Sequence, residues 1–422
     1  MSPAATTTPA ASTPAANGSG IPAPLPGSGF DPFIDTLSPA YDEDIHSAHR
    51  RVREHSFHAR TPRGLICVDY EAVHWLLHDK RFRLQGNDAL ALAGIVDGSL
   101  LRWFGQILSN KEGEPHARLR RLVSRAFTPR QVDRLRPMMR ATAQEFIDSL
   151  AGRSRCEFVE SFATPYPVRV IGALLGVPAS DFARFHAWSR DLSLAFGNRI
   201  ASERPRIEAA LANLEDYVDG LIVKLRRDPG EDLTSALIGL ERAGGDFLDP
   251  DELRAMVTVL IFGGQDTTQC QLACALATFA RHPEAWRFLA AHPDYAARAA
   301  EEVLRYEPAG SGNPRTSLED IDYRGLHIPA GTVVHPSTPA ANRDPKVYPD
   351  PDRFDQDRVH GEPQLTFGGG VHFCLGASLA RFEIAEVLPM LARRMPALAL
   401  DGPIEWRHGS LIRGPERLPI AF

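Results

Sequence analysis

The longest apolar pattern in the chain covers residues 251–282, and between Arg254 and Arg281 its one charged side chain is Asp266. A run of that length suggests a membrane span, but Gly263, Gly264, Gln265, Thr267, Thr268, Gln269 and Gln271 interrupt it. A long helix through a protein core is the better reading. A second stripe follows Cys374. Leu375, Leu379, Phe382, Leu388 and Leu391 recur at helical spacing, which predicts a helix opening near Leu375. Pro389 should kink it, since proline removes a backbone donor and clashes with the carbonyl of Ala385. Upstream, residues 65–68 read as a strand and residues 70–79 as a helix with Val73, Leu76 and Leu77 on one side. Residues 82–110 are apolar in patches without a period. A helix opens near Glu114, with Pro115 in its first turn and Leu119, Leu122, Val123 and Ala126 as its stripe. Residues 140–150, 167–175 and 207–225 read as further helices, residues 323–334 as a β-hairpin, and the Pro/Asp-rich run to Arg358 as an irregular meander.

Composition narrows this picture. At 422 residues, 43% hydrophobic and 24% charged, the chain can bury a large core. Length alone suggests two or three domains. A net charge of −6 argues against nucleic acid as the general partner. The five cysteines are scattered, with neither zinc spacing nor a disulfide framework, which fits a reducing cytoplasm. Residues 1–30 are rich in Ala, Thr, Ser, Pro and Gly and carry no charged side chain. They are expected to be a disordered tail, neither a signal peptide nor a membrane anchor.

The chemistry concentrates in Phe367-Gly368-Gly369-Gly370-Val371-His372-Phe373-Cys374-Leu375-Gly376. Glycines let the backbone fold tightly round the sulfur, and the N–H groups of a following helix favour a thiolate. A lone cysteine is ordinarily a small buried hydrophobe. Here Phe367, Gly368, Gly370, His372, Cys374 and Gly376 complete the pattern F-G-x-G-x-H-x-C-x-G, which resembles the haem-binding loop of the cytochrome P450 family. The resemblance runs over residues 31–422. It implies one mainly α domain with small β-sheets, holding haem b between the long central helix and the cysteine-loop helix. Cys374 resembles the thiolate ligand of the iron, with Phe367, Gly368, His372 and Gly376 beside it.

Other residues gain meaning from the same resemblance. Gly263-Gly264-Gln265-Asp266-Thr267-Thr268 resembles the family's A/G-G-x-D/E-T-T motif, which makes Asp266 and Thr267 the catalytic acid–alcohol pair. Threonine can hydrogen-bond the carbonyl four residues earlier, so Thr267 should reach Gly263, and a buried Asp needs work or a partner. His116 and Arg120 are helix neighbours four apart and could clamp a carboxylate; a solvated basic face is the bland alternative. In the family such a pair contacts the haem propionates, as Arg315 resembles a further contact. Glu302-Val303-Leu304-Arg305 resembles the buried E-x-x-R pair behind the haem, completed by Arg358, with Arg353 as the alternative. Residues 180–200 would form a mobile roof over the substrate. Phe196, Leu260, Gly263, Gly264 and Leu411 are candidate pocket residues.

The implied reaction is O2-dependent oxidation of a small organic substrate, with electrons from a ferredoxin and its NAD(P)H-dependent reductase. Nine Lys or Arg fall between Lys111 and Arg140, a basic patch suited to an acidic donor. The patch lacks the aromatic interleaving and the modules of nucleic-acid binders, and no membrane association is expected. Rival readings are a ligand-sensing haem protein, a peroxide-driven enzyme that lacks need of Asp266 and Thr267, and a cysteine hydrolase using Cys374 and His372.

Overall fold

The computed structural model describes residues 32–242, 245–359 and 361–422. The tail expected at residues 1–30 lies outside the described residues. Eight helices position the site: α1 (Tyr70–His78), α2 (Gly113–Ala126), α3 (Pro165–Leu175), α4 (Phe182–Ser193), α5 (Arg204–Arg227), α6 (Pro250–Ala280), α7 (Ala296–Tyr306) and α8 (Ala377–Arg394). The central helix is α6, roughly 45 Å long at 1.5 Å per residue. Asp249 starts it with a reciprocal capping box to Glu252, and Pro250 occupies the first turn. Most of its residues are buried, as expected of a helix that runs through a core. It crosses the larger core, packing on α3, α4 and α5.

Most helices match the pattern in the sequence to within a few residues. The cysteine-loop helix begins at Ala377 instead of Leu375, and Pro389 sits inside it without ending it. The segment without a period, residues 82–110, holds the strand Phe82–Leu84 and the helices Asn87–Leu92 and Gly98–Gln106. Each is too short to repeat a stripe. The second helix turns only Leu100, Trp103 and Phe104 fully inward.

Five strands form the main sheet: β1 (His58–Thr61), β2 (Gly64–Cys67), β3 (Phe82–Leu84), β4 (Arg315–Ser317) and, beyond the hairpin β5 (Ile321–Tyr323) and β6 (Leu326–Ile328), β7 (Val333–Pro336). The order is β1-β2-β7-β4-β3, with β2 and β7 parallel and the other pairs antiparallel. The expected hairpin over residues 323–334 is therefore corrected. Its arms are β5 and β6, turning at Arg324 and Gly325, and Val333 begins a strand of the main sheet. A second core lies beneath this sheet, where Val73, Leu76 and Leu77 of α1 meet Leu65, Phe82 and Val334.

A buried ionic cluster ties the helices to the irregular run before the cysteine. Arg305 and Glu302 are both fully buried and paired through two hydrogen bonds of 2.7 and 2.8 Å. The remaining N–H groups of Arg305 donate to the carbonyls of Asn342 and Pro351 at 2.9 Å and of Arg353 at 3.2 Å. Arg358 Nε reaches Glu302 Oε1 at 3.3 Å, and its other nitrogens hold the carbonyls of Pro349, Asp350 and Arg353. Arg353, by contrast, turns its side chain to Asp355. Truncating one partner of such a pair strands a buried charge. Arg305→Ala should therefore lower the unfolding free energy by about 3–5 kcal/mol, read as a shifted denaturant midpoint. An unchanged midpoint would mean that the cluster contributes nothing to stability.

Candidate active site

Cys374 stands in a turn closed by its own backbone. The Cys374 N–H donates to the Phe367 carbonyl at 2.9 Å and the Phe373 N–H to that of Gly370 at 3.2 Å. Gly368 and Gly370 take φ of 72° and 64°, a left-handed conformation that glycine adopts without strain. Cys374 is exposed as a residue, although its thiol is closely surrounded by protein atoms. Burial pushes the thiol up from its ordinary value, while the Gly376 N–H, Arg120 and Arg381 pull it down. The expected preference for a thiolate is thus outweighed in the thiol itself. Loss of the proton falls to metal binding, which requires a deprotonated ligand.

The polar residues of α2 gather beside this turn. His372 Nε2 lies 3.1 Å from Glu112 Oε2, and the His116 ring lies 4.5 Å from that of His372. No hydrogen bond joins His372 to Cys374 among the described residues, so a hydrolase pair is not assembled. Arg120 is half-buried and close enough to Cys374 to feel its charge. Arg315, on β4, is buried, and its Nε has no partner among the described residues. Burial lowers the Arg315 pKa, and Glu112 opposes that shift. An unpaired donor on a buried guanidinium is costly, so an anion there would be favoured.

The face of α6 that carries Val259, Gly263 and Thr267 is partly open, with Gly263 exposed. These residues are spaced four apart and share a side. A Cβ added at Gly263 would meet no atom within 4 Å. Thr267 Oγ1 donates to the Gly263 carbonyl at 2.6 Å, the bond that the spacing predicts. Leu260 borders this face and is partly exposed. Phe196 stacks on Phe262 at 4.4 Å, and its carbonyl accepts from the Leu411 N–H at 3.3 Å. Gly264 corrects the pocket assignment. A Cβ there would fall 2.5 Å from Ile171 Cδ1, so this glycine permits the close packing of α6 on α3.

Asp266 turns the other way. It is buried and holds Arg407 through two hydrogen bonds, of 2.8 and 3.0 Å. Together with Gln265, Gln269, His186, Arg190 and Arg407, it lines a cavity of about 880 Å³. That cavity includes no residue of the cysteine turn and lies across α6 from Gly263 and Thr267. The buried carboxylate thus has the partner that its burial requires: in this conformation Asp266 is held by an ion pair. No motif marked Arg407, which lies 141 residues away in sequence. Glu383 of α8 was missed as well. It is buried with Oε2 unpartnered, and burial raises its pKa well above the usual carboxylate range.

The basic patch is thinner than its sequence count. Arg118 and Arg121 pair with Asp246, and Arg136 and Arg140 with Glu386. Exposed Arg125, Arg130 and Arg134 form no ion pair with the described residues.

These residues fit haem: an exposed cysteine, cations suited to two carboxylates, one with an orphan donor, and a partly open helix face with a single hydroxyl. The family model for cytochrome P450 matches residues 289–395, from the E-x-x-R helix through the cysteine turn. Luteothin monooxygenase of Streptomyces thioluteus is 35% identical, over 93% of this chain and 96% of that protein. The chain belongs to the cytochrome P450 family. Nocardicin C N-oxygenase of Nocardia uniformis subsp. tsuyamanensis is 38% identical to this P450, over 93% of this chain and 97% of that one. The crystal structure of CalO2 superposes with a TM-score of 0.87 at 30% identity, covering 92% and 98% of the two chains. This P450 is a monooxygenase, an oxidoreductase that uses O2 and a small organic substrate, and its family implies haem ligated by a cysteine thiolate. No helix among the described residues is long and apolar enough to cross a membrane.

The ion pair behind α6 can be tested by itself. Arg407→Leu leaves the Asp266 carboxylate buried without its counter-ion and should cost about 3–5 kcal/mol of stability. Adding Asp266→Asn to that variant should recover most of the loss in chemical denaturation. A double variant as unstable as the single one would show that Arg407 acts by packing alone.

Proposed function

We propose that this P450 is a bacterial cytoplasmic enzyme that binds haem b through Cys374 and oxidises a mainly apolar specialised metabolite. Its electrons come from a ferredoxin and an NAD(P)H-dependent ferredoxin reductase. The observation that carries the reading is exposed Cys374 in a closed glycine turn, together with the unpaired Nε of buried Arg315. His116, Arg120 and Arg315 would hold the propionates through charge-assisted hydrogen bonds. Phe367, Gly368, His372 and Gly376 would form the rest of the cradle. Haem bound there supplies reductive O2 activation and transfer of one oxygen atom to the substrate.

The chain's own residues set the remaining conditions. Val259, Leu260, Phe196 and Leu411 make the substrate side apolar and exclude water, while open space beside Gly263 admits a small ligand next to the Thr267 hydroxyl. Asp266, on the adjoining face, borders the polar cavity and stands where a proton entering from solvent would pass. To pass a proton to Thr267 Oγ1, the carboxylate must first loosen from Arg407. Exposed Arg125, Arg130 and Arg134 attract an acidic donor toward the Cys374 side by a field that salt screens. Glu302, Arg305 and Arg358 serve the fold behind the haem.

The reduced, CO-bound holoenzyme should absorb near 450 nm, the signature of thiolate ligation, and Cys374→Ser should lose that band. A normal band in the variant would overturn the ligand assignment. Thr267→Ala should keep substrate binding and nicotinamide consumption but divert reducing equivalents to peroxide. A variant with unchanged product per nicotinamide consumed would remove Thr267 from proton delivery.

A further inference from the structure

The cysteine turn has a contact outside its own backbone that no motif announces. His78, the last residue of α1, stands against the two glycines at the start of the turn. The Gly370 N–H donates to His78 Nε2 at 3.1 Å. On the other side of the ring, His78 Nδ1 lies 2.7 Å from the carbonyl of His74. A carbonyl only accepts and an amide N–H only donates, so the ring must be protonated at Nδ1 and offer its lone pair at Nε2. The glycines permit this approach. A Cβ at Gly369 would fall 2.7 Å from His78 Cε1, and one at Gly370 would fall 2.6 Å from the Leu77 carbonyl. The φ of 64° at Gly370 also disfavours any side chain.

We propose that His78 is a positioning residue for the cysteine ligand: by accepting the Gly370 N–H, it fixes the turn that sets where Cys374 Sγ stands. The inference rests on the thiolate reading above. The Gly370 residue is held at both ends, its N–H by His78 and its carbonyl by the Phe373 N–H at 3.2 Å. Phe373 leads directly into Cys374. Val371 and Phe373, between these anchors, are 63% and 39% exposed, so little packing restrains that stretch. The neighbouring His74 ring stacks on His78 at 4.2 Å, while the His74 carbonyl at Nδ1 sets the orientation of the His78 ring. His78 therefore acts on the sulfur through the turn, without touching it.

The test uses the reduced, CO-bound holoenzyme in mild guanidinium and follows conversion of the band near 450 nm to the form near 420 nm that marks loss of thiolate ligation. His78→Leu keeps bulk but cannot accept, and should convert roughly twofold to tenfold faster, the range expected for one hydrogen bond. His78→Gln places an amide oxygen within reach of Gly370 and should return the rate to that of the unmodified enzyme. His74→Leu removes the stacked ring, leaves the backbone carbonyl, and should also match the unmodified enzyme. Thermal loss of helix should be unchanged in all three. Equal conversion in His78→Leu and the unmodified enzyme would overturn the proposal. So would a glutamine variant as fast as leucine, or a helix melt that falls in parallel with the rate. An unmodified enzyme without the 450 nm band would instead overturn the thiolate reading.

Discussion

The structure depends on burying one guanidinium, that of Arg305. A charge in a protein interior is costly unless its donors are paired, and here each N–H has a carboxylate or carbonyl to meet. Three of those acceptors are carbonyls of Asn342, Pro351 and Arg353, in a stretch with little regular secondary structure. Backbone carbonyls that would otherwise need strand or helix partners find them in a side chain. The order passes onward through Asn342, whose side chain accepts the Leu365 N–H at 2.7 Å and donates to Thr366 Oγ1 at 2.8 Å. Thr366 in turn bonds the carbonyl of Leu304, next to Arg305. The residue after Thr366 is Phe367, whose carbonyl holds the Cys374 N–H. The cysteine turn is therefore fixed from the core outward, although a long irregular run delivers it.

The second constraint is the central helix, which separates two environments. Its Gly263–Thr267 side is partly open and nearly apolar; its Gln265–Asp266–Gln269 side faces a polar cavity. Successive residues on a helix point about 100° apart, so Asp266 and Thr267 can belong to different sides while remaining covalent neighbours. A proton crossing between the two environments has only that one step to make along the chain. Arg407 lowers the cost of leaving a carboxylate at the boundary, and in doing so holds it toward the polar side.

Legibility in the sequence followed the range of the interaction. The cysteine turn and the E-x-x-R pair are local, since their residues lie within ten positions and their spacing carries the geometry. The threonine bond to Gly263 is also one helical turn, and its partner followed from spacing alone. Gly264 was misread because a glycine beside a reactive helix face has two causes, space for a ligand and space for a neighbouring helix. Only the position of Ile171 distinguishes them. Arg407 and His78 could not be read at all. Arg407 meets Asp266 across 141 residues and His78 meets Gly370 across 292, with no periodic pattern linking either pair. The basic patch was overread for the converse reason, because four of its arginines find acidic partners far away in sequence.

The same distant contacts join the roof to the acid. From Arg407 to Leu411 the chain is five residues long, yet it bonds both Asp266 and the Phe196–Asn198 segment. Arg407 holds Asp266, the Gly409 carbonyl accepts the Asn198 N–H at 2.7 Å, and the Leu411 N–H donates to the Phe196 carbonyl. The Leu411 carbonyl accepts from the Ser311 N–H at 3.1 Å and from Ser311 Oγ at 2.8 Å, anchoring the segment on its other side. Gly409 donates its own N–H to Asp42 at 2.7 Å. The roof at Phe196–Asn198 thus cannot lift without breaking two backbone hydrogen bonds or drawing this segment with it. Drawing the segment would strain the Arg407–Asp266 pair, since fewer than five residues separate the anchors. Phe196–Asn198 and Asp266 are in this way tied to one short segment, through a stretch of chain that carries no catalytic motif of its own.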